Sequence, residues 1–228
     1  MNRTQMLMEL DQAISRRSLL KHPFYRNWQA GTLTQERLLL YAKQYYLHVE
    51  AFPVHLQRLA ERAQGSLRQL ILENLADETD PMAPHARLWR NFAEAVGVRT
   101  ETFWTTVPLP GIRKLLDVYG RICAEASMEE AGAALYAYEA QVPEISSTKK
   151  EGLSRYYGIK TEGGLAYFRV HEQADRIHRE AWRGWLEKGG ESGHGYQPSV
   201  EEEQILATTQ KALDALWGAL DSVQEAVL

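Results

Sequence analysis

Apolar residues recur at helical spacing along almost the whole of this 228-residue chain. No segment has the strict two-residue alternation, bounded by hairpin turns, that a half-buried strand requires. Helices are expected at about 4–20, 34–62, 66–94, 111–126, 128–147, 161–187 and 199–226, with helical turns near 22–31 and 148–158. Thr34 precedes Gln35-Glu36 and Thr161 precedes Glu162, a hydroxyl cap followed by acid in the first turn. Pro108 and Pro110 mark 98–110 as a loop, and the stretch from Gly189-Gly190 to Pro198 reads as another. The fold class is all-α, one helical domain over 1–228 built as a seven-helix bundle.

Composition narrows the function classes. A net charge of −4 offers no basic face for nucleic acid. No apolar run approaches the ~20 residues of a membrane span. The opening MNRTQMLMELDQ reaches Glu9 and Asp11 too soon for a secretory segment. The lone Cys123 excludes an internal disulfide and fits a reducing compartment. A cytoplasmic location is expected, with no nucleic-acid or membrane partner.

The chemistry lies where ionisable groups interrupt apolar faces. On a helical wheel of about 100° per residue over 161–187, Tyr167, Phe168, Ala174, Asp175, His178, Trp182 and Trp185 fall within about 60° of His171. Arg169, Arg176, Glu180 and Arg183 fall opposite. His171, Asp175 and His178 thus form a polar stripe inside an aromatic face. Upstream, positions 71, 75, 78, 82, 85, 89 and 92 (Ile, Leu, Glu, Met, His, Trp and Phe) alternate steps of four and three. Glu78, Met82 and His85 therefore occupy core slots. Pro81 and Pro84 kink or partly unwind the helix between the two ionisable groups. Glu139 shares a face with Gly132, Leu135 and Val142, and Pro143 leaves its carbonyl without the usual helical donor.

A buried carboxylate is costly unless paired or bound to a cation. His48 and His55, single histidines on apolar faces, read as hydrogen-bonded core residues. His171, Asp175 and His178 alone also fit a structural Asp–His pair with a spare histidine. Six inward ionisable groups on three predicted helices are another matter, because without a cation they are hard to satisfy together. Mixed carboxylate and imidazole donors suit iron or manganese. The arrangement Glu78-x6-His85, Glu139, His171-x3-Asp175-x2-His178 lacks the paired Glu-x-x-His repeats of ferritin-like di-iron proteins.

With that spacing, and with the strings HPFYRNW, YAKQYYLHVEAFP, ENLADETD followed by HARLW, ALYAYEAQVPEI and AYFRVHEQADRIH, the chain resembles the family of the Chlamydia protein associating with death domains. That family lies among the haem-oxygenase-like di-metal oxidases, with thiaminase-II-like proteins and pyrroloquinoline-quinone synthase as wider fold relatives. The resemblance runs over roughly 20–185. It implies a seven-helix haem-oxygenase-like bundle with two metal ions, iron or iron and manganese, held by Glu78, His85, Glu139, His171, Asp175 and His178. It also implies O2 as co-substrate, an external electron donor, and p-aminobenzoate synthesis for folate from the protein's own tyrosine ring and lysine nitrogen. The tyrosine so carried over is Tyr25 and the lysine Lys149, with Lys150 beside it. Tyr138, Tyr41 and Tyr167 fall in matching strings as cavity lining or electron relays.

Taken alone, those residues say less. Tyr25 beside Phe24 and Trp28 reads as a core aromatic, Lys149 in SSTKKEG as a solvated surface lysine, and Tyr138 as facing about 100° away from Glu139. Relatives with the same scaffold oxidise external fatty acids or amino acids, and a cavity lined by Leu135, Phe168 and Trp182 would suit such a substrate. A thiaminase-like hydrolase would need Cys123 as nucleophile, and a death-domain-binding module would need an exposed anchor that the sequence does not offer. By analogy of fold a homodimer is expected, buried through Trp182–Trp185 or the last helix.

Overall fold

A computed structural model describes residues 2–189 and 198–227. Ten α-helices run through the described residues: α1 Arg3–Arg16, α2 Pro23–Ala30, α3 Gln35–Arg62, α4 Gly65–Glu78, α5 His85–Ala95, α6 Pro110–Glu125, α7 Met128–Glu139, α8 Val142–Tyr156, α9 Glu162–Glu187 and α10 Pro198–Glu225. Two short 3-10 helices join them, Leu19–Lys21 and Thr100–Thr105. The all-α class holds. The number of helices is ten rather than seven because prolines and turns divide longer periodic stretches. The loop expected from Gly189 to Pro198 lies, apart from its ends, outside the described residues.

Two of those divisions shape the site. The expected helix 66–94 is broken over 79–84, so Glu78 ends α4 and His85 begins α5. Asp80 organises the turn, its side chain accepting from the Met82 N–H and its carbonyl from the Ala83 N–H. Met82, assigned to the apolar stripe on a continuous helix, is instead 82% exposed. The second break follows Glu139, where Pro143 sits in the first turn of α8 and lacks only an N–H that has no helical partner there. The segment 98–110 is not a plain loop, since it contains the Thr100–Thr105 turn.

Local chemistry explains several helix ends. Thr34 and Thr161 cap α3 and α9 by accepting from the N–H groups of Arg37 and Gly164. Ser127 and Glu130 form a reciprocal capping box at α7. Every residue from Ala131 to Glu139 is buried, so α7 is a central rod rather than an amphipathic one. Around it stand α9, α10, α8, α6 and α1, while α3 packs on α4, α5 and α6, and α9 on α5 and α8. Trp182 and Trp185 lie against Gly132 of α7, where a Cβ would come within 2.7 Å of the Trp185 ring. Both tryptophans are buried within the chain, so they are not the dimer surface expected of them.

Helices α6 and α10 approach closely at Gly111. A Cβ on Gly111 would overlap the backbone carbonyl oxygen of Gly218 and the Ser222 hydroxyl, which accepts from the Gly111 N–H at 2.8 Å. Gly111→Ala should therefore cost about 1–3 kcal/mol in urea unfolding. Gly184→Ala, with no atom within 4 Å of its new methyl, should be neutral or up to about 1 kcal/mol stabilising.

Candidate metal centre

The six inward groups gather into two buried triads. Glu78, His85 and His171 form one, and Glu139, Asp175 and His178 the other, each with its candidate ligand atoms within 4.8 Å of one another. In the first, Glu78 lies 2.9 Å from His85 Nδ1 and 3.8 Å from His171 Nε2. The other nitrogen of His171, Nδ1, is 2.8 Å from the Tyr167 carbonyl. A proton on Nδ1, donated to that carbonyl, leaves Nε2 as a lone-pair donor. The helix break at 79–84 makes this triad possible by folding two chain neighbours back upon each other.

In the second triad, His178 Nδ1 stands 3.9 Å from Glu139 and 4.0 Å from Asp175. Its Nε2 contacts the Asp77 carboxylate at 3.0 Å, the arrangement that orients a ligating imidazole from behind. Glu139 accepts from Asn74 Nδ2 at 2.8 Å and from Trp182 Nε1 at 2.9 Å. Asp175 Oδ2 is buried without a hydrogen-bond partner.

The electrostatics describe a place prepared for positive charge. Burial, with the Glu78 charge adding to it against the donors Asn74 and Trp182, pushes the Glu139 carboxyl up to about 8. Burial and the charges of Glu139 and Glu78 hold Asp175 well above the usual carboxylate range. Glu78 behaves oppositely: burial would raise it, but the adjacent His171 and His85 imidazoles bring it down to about 2. Three carboxylates and three imidazoles, one carboxyl oxygen among them unsatisfied, match the donors that iron and manganese accept. The residues present fit a pair of such ions.

Beside the centre lies an aromatic compartment. Tyr167 stacks on His171 with ring centroids 3.9 Å apart and faces a cavity of about 20 Å³ that Tyr25, Tyr45, Tyr138 and Lys149 also line. Lys149 is only 4% exposed, contrary to the surface lysine that its neighbours in sequence suggest. Its Nζ donates to the Tyr41 hydroxyl at 2.6 Å, and that hydroxyl lies 3.3 Å from the Tyr25 hydroxyl. The rings of Tyr25, Tyr41, Tyr45, Trp89 and Phe168 surround the amine with centroids at 5.0–5.4 Å. Burial lowers the amine to about 7. Tyr138, despite its position on the wheel, reaches this compartment through a 3.2 Å hydroxyl contact with Tyr45. Lys150 points elsewhere and pairs with Glu172.

Other expectations change. His48 and His55 are core residues, yet neither ring nitrogen of either one has a hydrogen-bond partner. Burial holds them neutral, at about 3 and about 4. Leu135, Phe168 and Trp182 are packed solid and are not among the residues that line the cavity. Burial lifts the Cys123 thiol to about 12, the reverse of what a nucleophile needs. Tyr45, Asn74 and Asp77 were not singled out in the sequence. Asn74, one turn before Glu78 on the buried side of α4, carried a readable signal; the exposed Asp77 carried none.

Comparison with known proteins agrees with this geometry. Residues 39–216 match the family described as iron-containing redox enzyme. The chain is 34% identical over 220 residues to the 4-aminobenzoate synthase of Chlamydia muridarum, covering 96% of this chain and 90% of that one. It is 34% identical over 227 residues to the 4-aminobenzoate synthase of Nitrosomonas europaea, covering 95% and 90%. Among solved structures, a TenA homolog from Pseudomonas syringae superposes with a TM-score of 0.82 at 18% identity, over 98% of this chain and 92% of that one. Among the described residues no helix is long and apolar enough to cross a membrane. The chain belongs to the iron-containing redox enzyme family, in the company of the 4-aminobenzoate synthases.

Proposed function

We propose that the chain is an oxygen-dependent 4-aminobenzoate synthase, serving folate synthesis, whose ring and nitrogen come from its own Tyr25 and Lys149. The observation that carries this reading is the bridge from Lys149 Nζ through the Tyr41 hydroxyl to the Tyr25 hydroxyl, 2.6 and 3.3 Å. In 4-aminobenzoate the nitrogen lies para to the carboxyl carbon. In tyrosine the hydroxyl lies para to Cβ. The amine therefore stands at the end of the ring where the nitrogen must be installed.

Glu78, His85 and His171 would hold one ion, and Glu139, Asp175 and His178 the other. Bound there, iron or an iron–manganese pair supplies the oxidising power from O2 and an external electron donor. The chain's own groups do the rest. Burial without an acidic partner supports the neutral, nucleophilic form of Lys149. Tyr41 holds the amine and the phenol in one hydrogen-bonded line. Tyr167, stacked on His171 and lining the cavity, lies between centre and cavity, where a phenol can pass electrons and protons; the Tyr45–Tyr138 pair lines the same cavity. A cavity of about 20 Å³ has room for a water molecule and not for an added aliphatic substrate, which favours internal donors over the external-substrate alternative.

Intact-mass spectrometry tests the proposal. After aerobic incubation with iron and a reductant, 4-aminobenzoate should reach at most about one molecule per chain, with matching loss of mass at Tyr25 and Lys149. Product accumulating while both side chains stay whole would refute it.

A further inference from the structure

The cavity and the protein surface are separated at one place by a wall a single residue thick. Leu19, Val142 and Ile145 face the cavity. Their neighbours Leu20 and Gln141, with Ile145 again, line a surface cleft of about 300 Å³ between α1, the Leu19–Lys21 turn and the α7–α8 junction. Elsewhere the cavity is bounded by α2, α3, α7, α8 and α9 themselves. Here the wall is the first turn of α8 together with the three-residue 3-10 turn.

That turn is a strap tied at both ends to α10. Before it, Arg17 Nε contacts Asp214 at 2.8 Å and its guanidinium lies over the Trp217 ring. After it, His22 Nε2 contacts Asp221 at 2.9 Å and its ring meets the same tryptophan. Toward the cavity it is held by a buried side chain, the Gln141 Oε1 accepting from the Leu19 N–H at 2.9 Å while Gln141 Nε2 donates to the Ala137 carbonyl at 2.9 Å. One amide thus joins the strap to the helix that carries Glu139.

The cleft also has a charge preference. Its two acids are already neutralised: Asp11 by Arg183 and the Tyr136 hydroxyl, Glu144 by Arg179. Its lysine, Lys21, donates to the neutral Ser15 carbonyl at 2.6 Å and has no acidic partner among the described residues. With Ile14, Leu20 and Ile145 beside it, the cleft offers an apolar floor and one cation at the rim.

We propose that the Leu19–Lys21 strap is the door of the buried tyrosine–lysine cavity, latched by Gln141, and that the cleft outside it receives a small aromatic carboxylate leaving the cavity. The class of ligand rests on the function proposed above; the door does not.

Lysine-by-lysine reductive methylation of the full chain with formaldehyde and cyanoborohydride, read by peptide mass spectrometry, tests the door without any turnover. Gln141→Ala should raise the labelling rate of Lys149 about tenfold, the effect of losing one buried hydrogen bond on a local opening, and leave the exposed Lys114 unchanged. Gln44→Ala is the control, because Gln44 is another buried amide, bridging Val107 and Leu109. An unchanged Lys149 rate in Gln141→Ala, or an equal rise in Gln44→Ala, overturns the door. Should Gln141→Ala not fold, Leu19→Ala replaces it with the same expected rise and the same overturning result. In the opened variant, millimolar 4-aminobenzoate should slow Lys149 labelling, and Lys21→Gln should weaken that protection several-fold. No protection, or protection indifferent to Lys21, overturns the assigned ligand class. A chain that makes no 4-aminobenzoate yet shows the Gln141-dependent labelling refutes the proposed function and leaves the door standing.

Discussion

Replacing His171 and Asp175 together with alanine should yield a folded chain that retains no metal, whereas the unaltered chain, reconstituted anaerobically with iron and manganese, should hold about two ions. The pair is chosen because His171 belongs to one triad and Asp175 to the other. Plasma mass spectrometry of the desalted proteins reads the difference. Stability gives a second readout with its own sign. At 100 to 1,000 times the dissociation constant, metal should stabilise the unaltered chain by about 3–4 kcal/mol, a rise in Tm of about 10 °C for a chain of this size, and should leave the double variant unmoved. Without metal the order should reverse or vanish, since the variant no longer buries the unsatisfied Asp175 carboxyl. A double variant that keeps both ions would mean that the triads are not the site.

Lys149→Met should abolish 4-aminobenzoate formation, keep the metal content, and make the protein more stable near neutral pH. The amine is nearly fully buried, among aromatic rings, and burial lowers it from 10.5 to about 7. Between pH 7 and 10.5 the unfolded chain binds a proton that the folded chain does not, so folding stability rises with pH across that window. Below pH 7 the full penalty is present, on the order of a few kcal/mol. Methionine, of similar length and uncharged, removes it. Urea unfolding at pH 6.5, 8 and 10 should show the variant ahead by an amount that shrinks as pH rises. A difference independent of pH would show that Lys149 is not the group responsible. In the unaltered chain, product formation should climb between pH 6 and 8, as the neutral amine goes from about a tenth to about nine tenths of the population.

The buried ionisable groups were legible because burying charge is so unfavourable that its regular recurrence on apolar faces demands an explanation. The wheel over 161–187 placed Tyr167, His171, Asp175, His178, Trp182 and Trp185 on one side, and all six are buried. The break at 79–84 was legible only in part. Two prolines signalled a disturbance, but periodicity carried Met82 through it into the core. Lys149 was illegible from its surroundings: Ser146, Ser147, Thr148 and Lys150 are polar, and only the packing of α8 on α2 and α9 shows that Ser146 and Lys149 are the two of the five that turn inward. Asp77 and Gln141 hydrogen-bond to partners 101 and 122 residues away, distances over which no local pattern exists.

The six candidate donors are spread from Glu78 to His178, and the proposed ring and amine, at Tyr25 and Lys149, both precede the last three of them. Protein synthesis runs from the first residue to the last. The partners of the eventual chemistry therefore leave the ribosome before the final donor does, and no chain shorter than 178 residues carries both complete triads. A stalled or truncated product can hold a tyrosine and a lysine in readiness but lacks the full set of groups that would act on them. On the function proposed above, the order of these residues along the chain keeps the two side chains unreacted until His178 has been added.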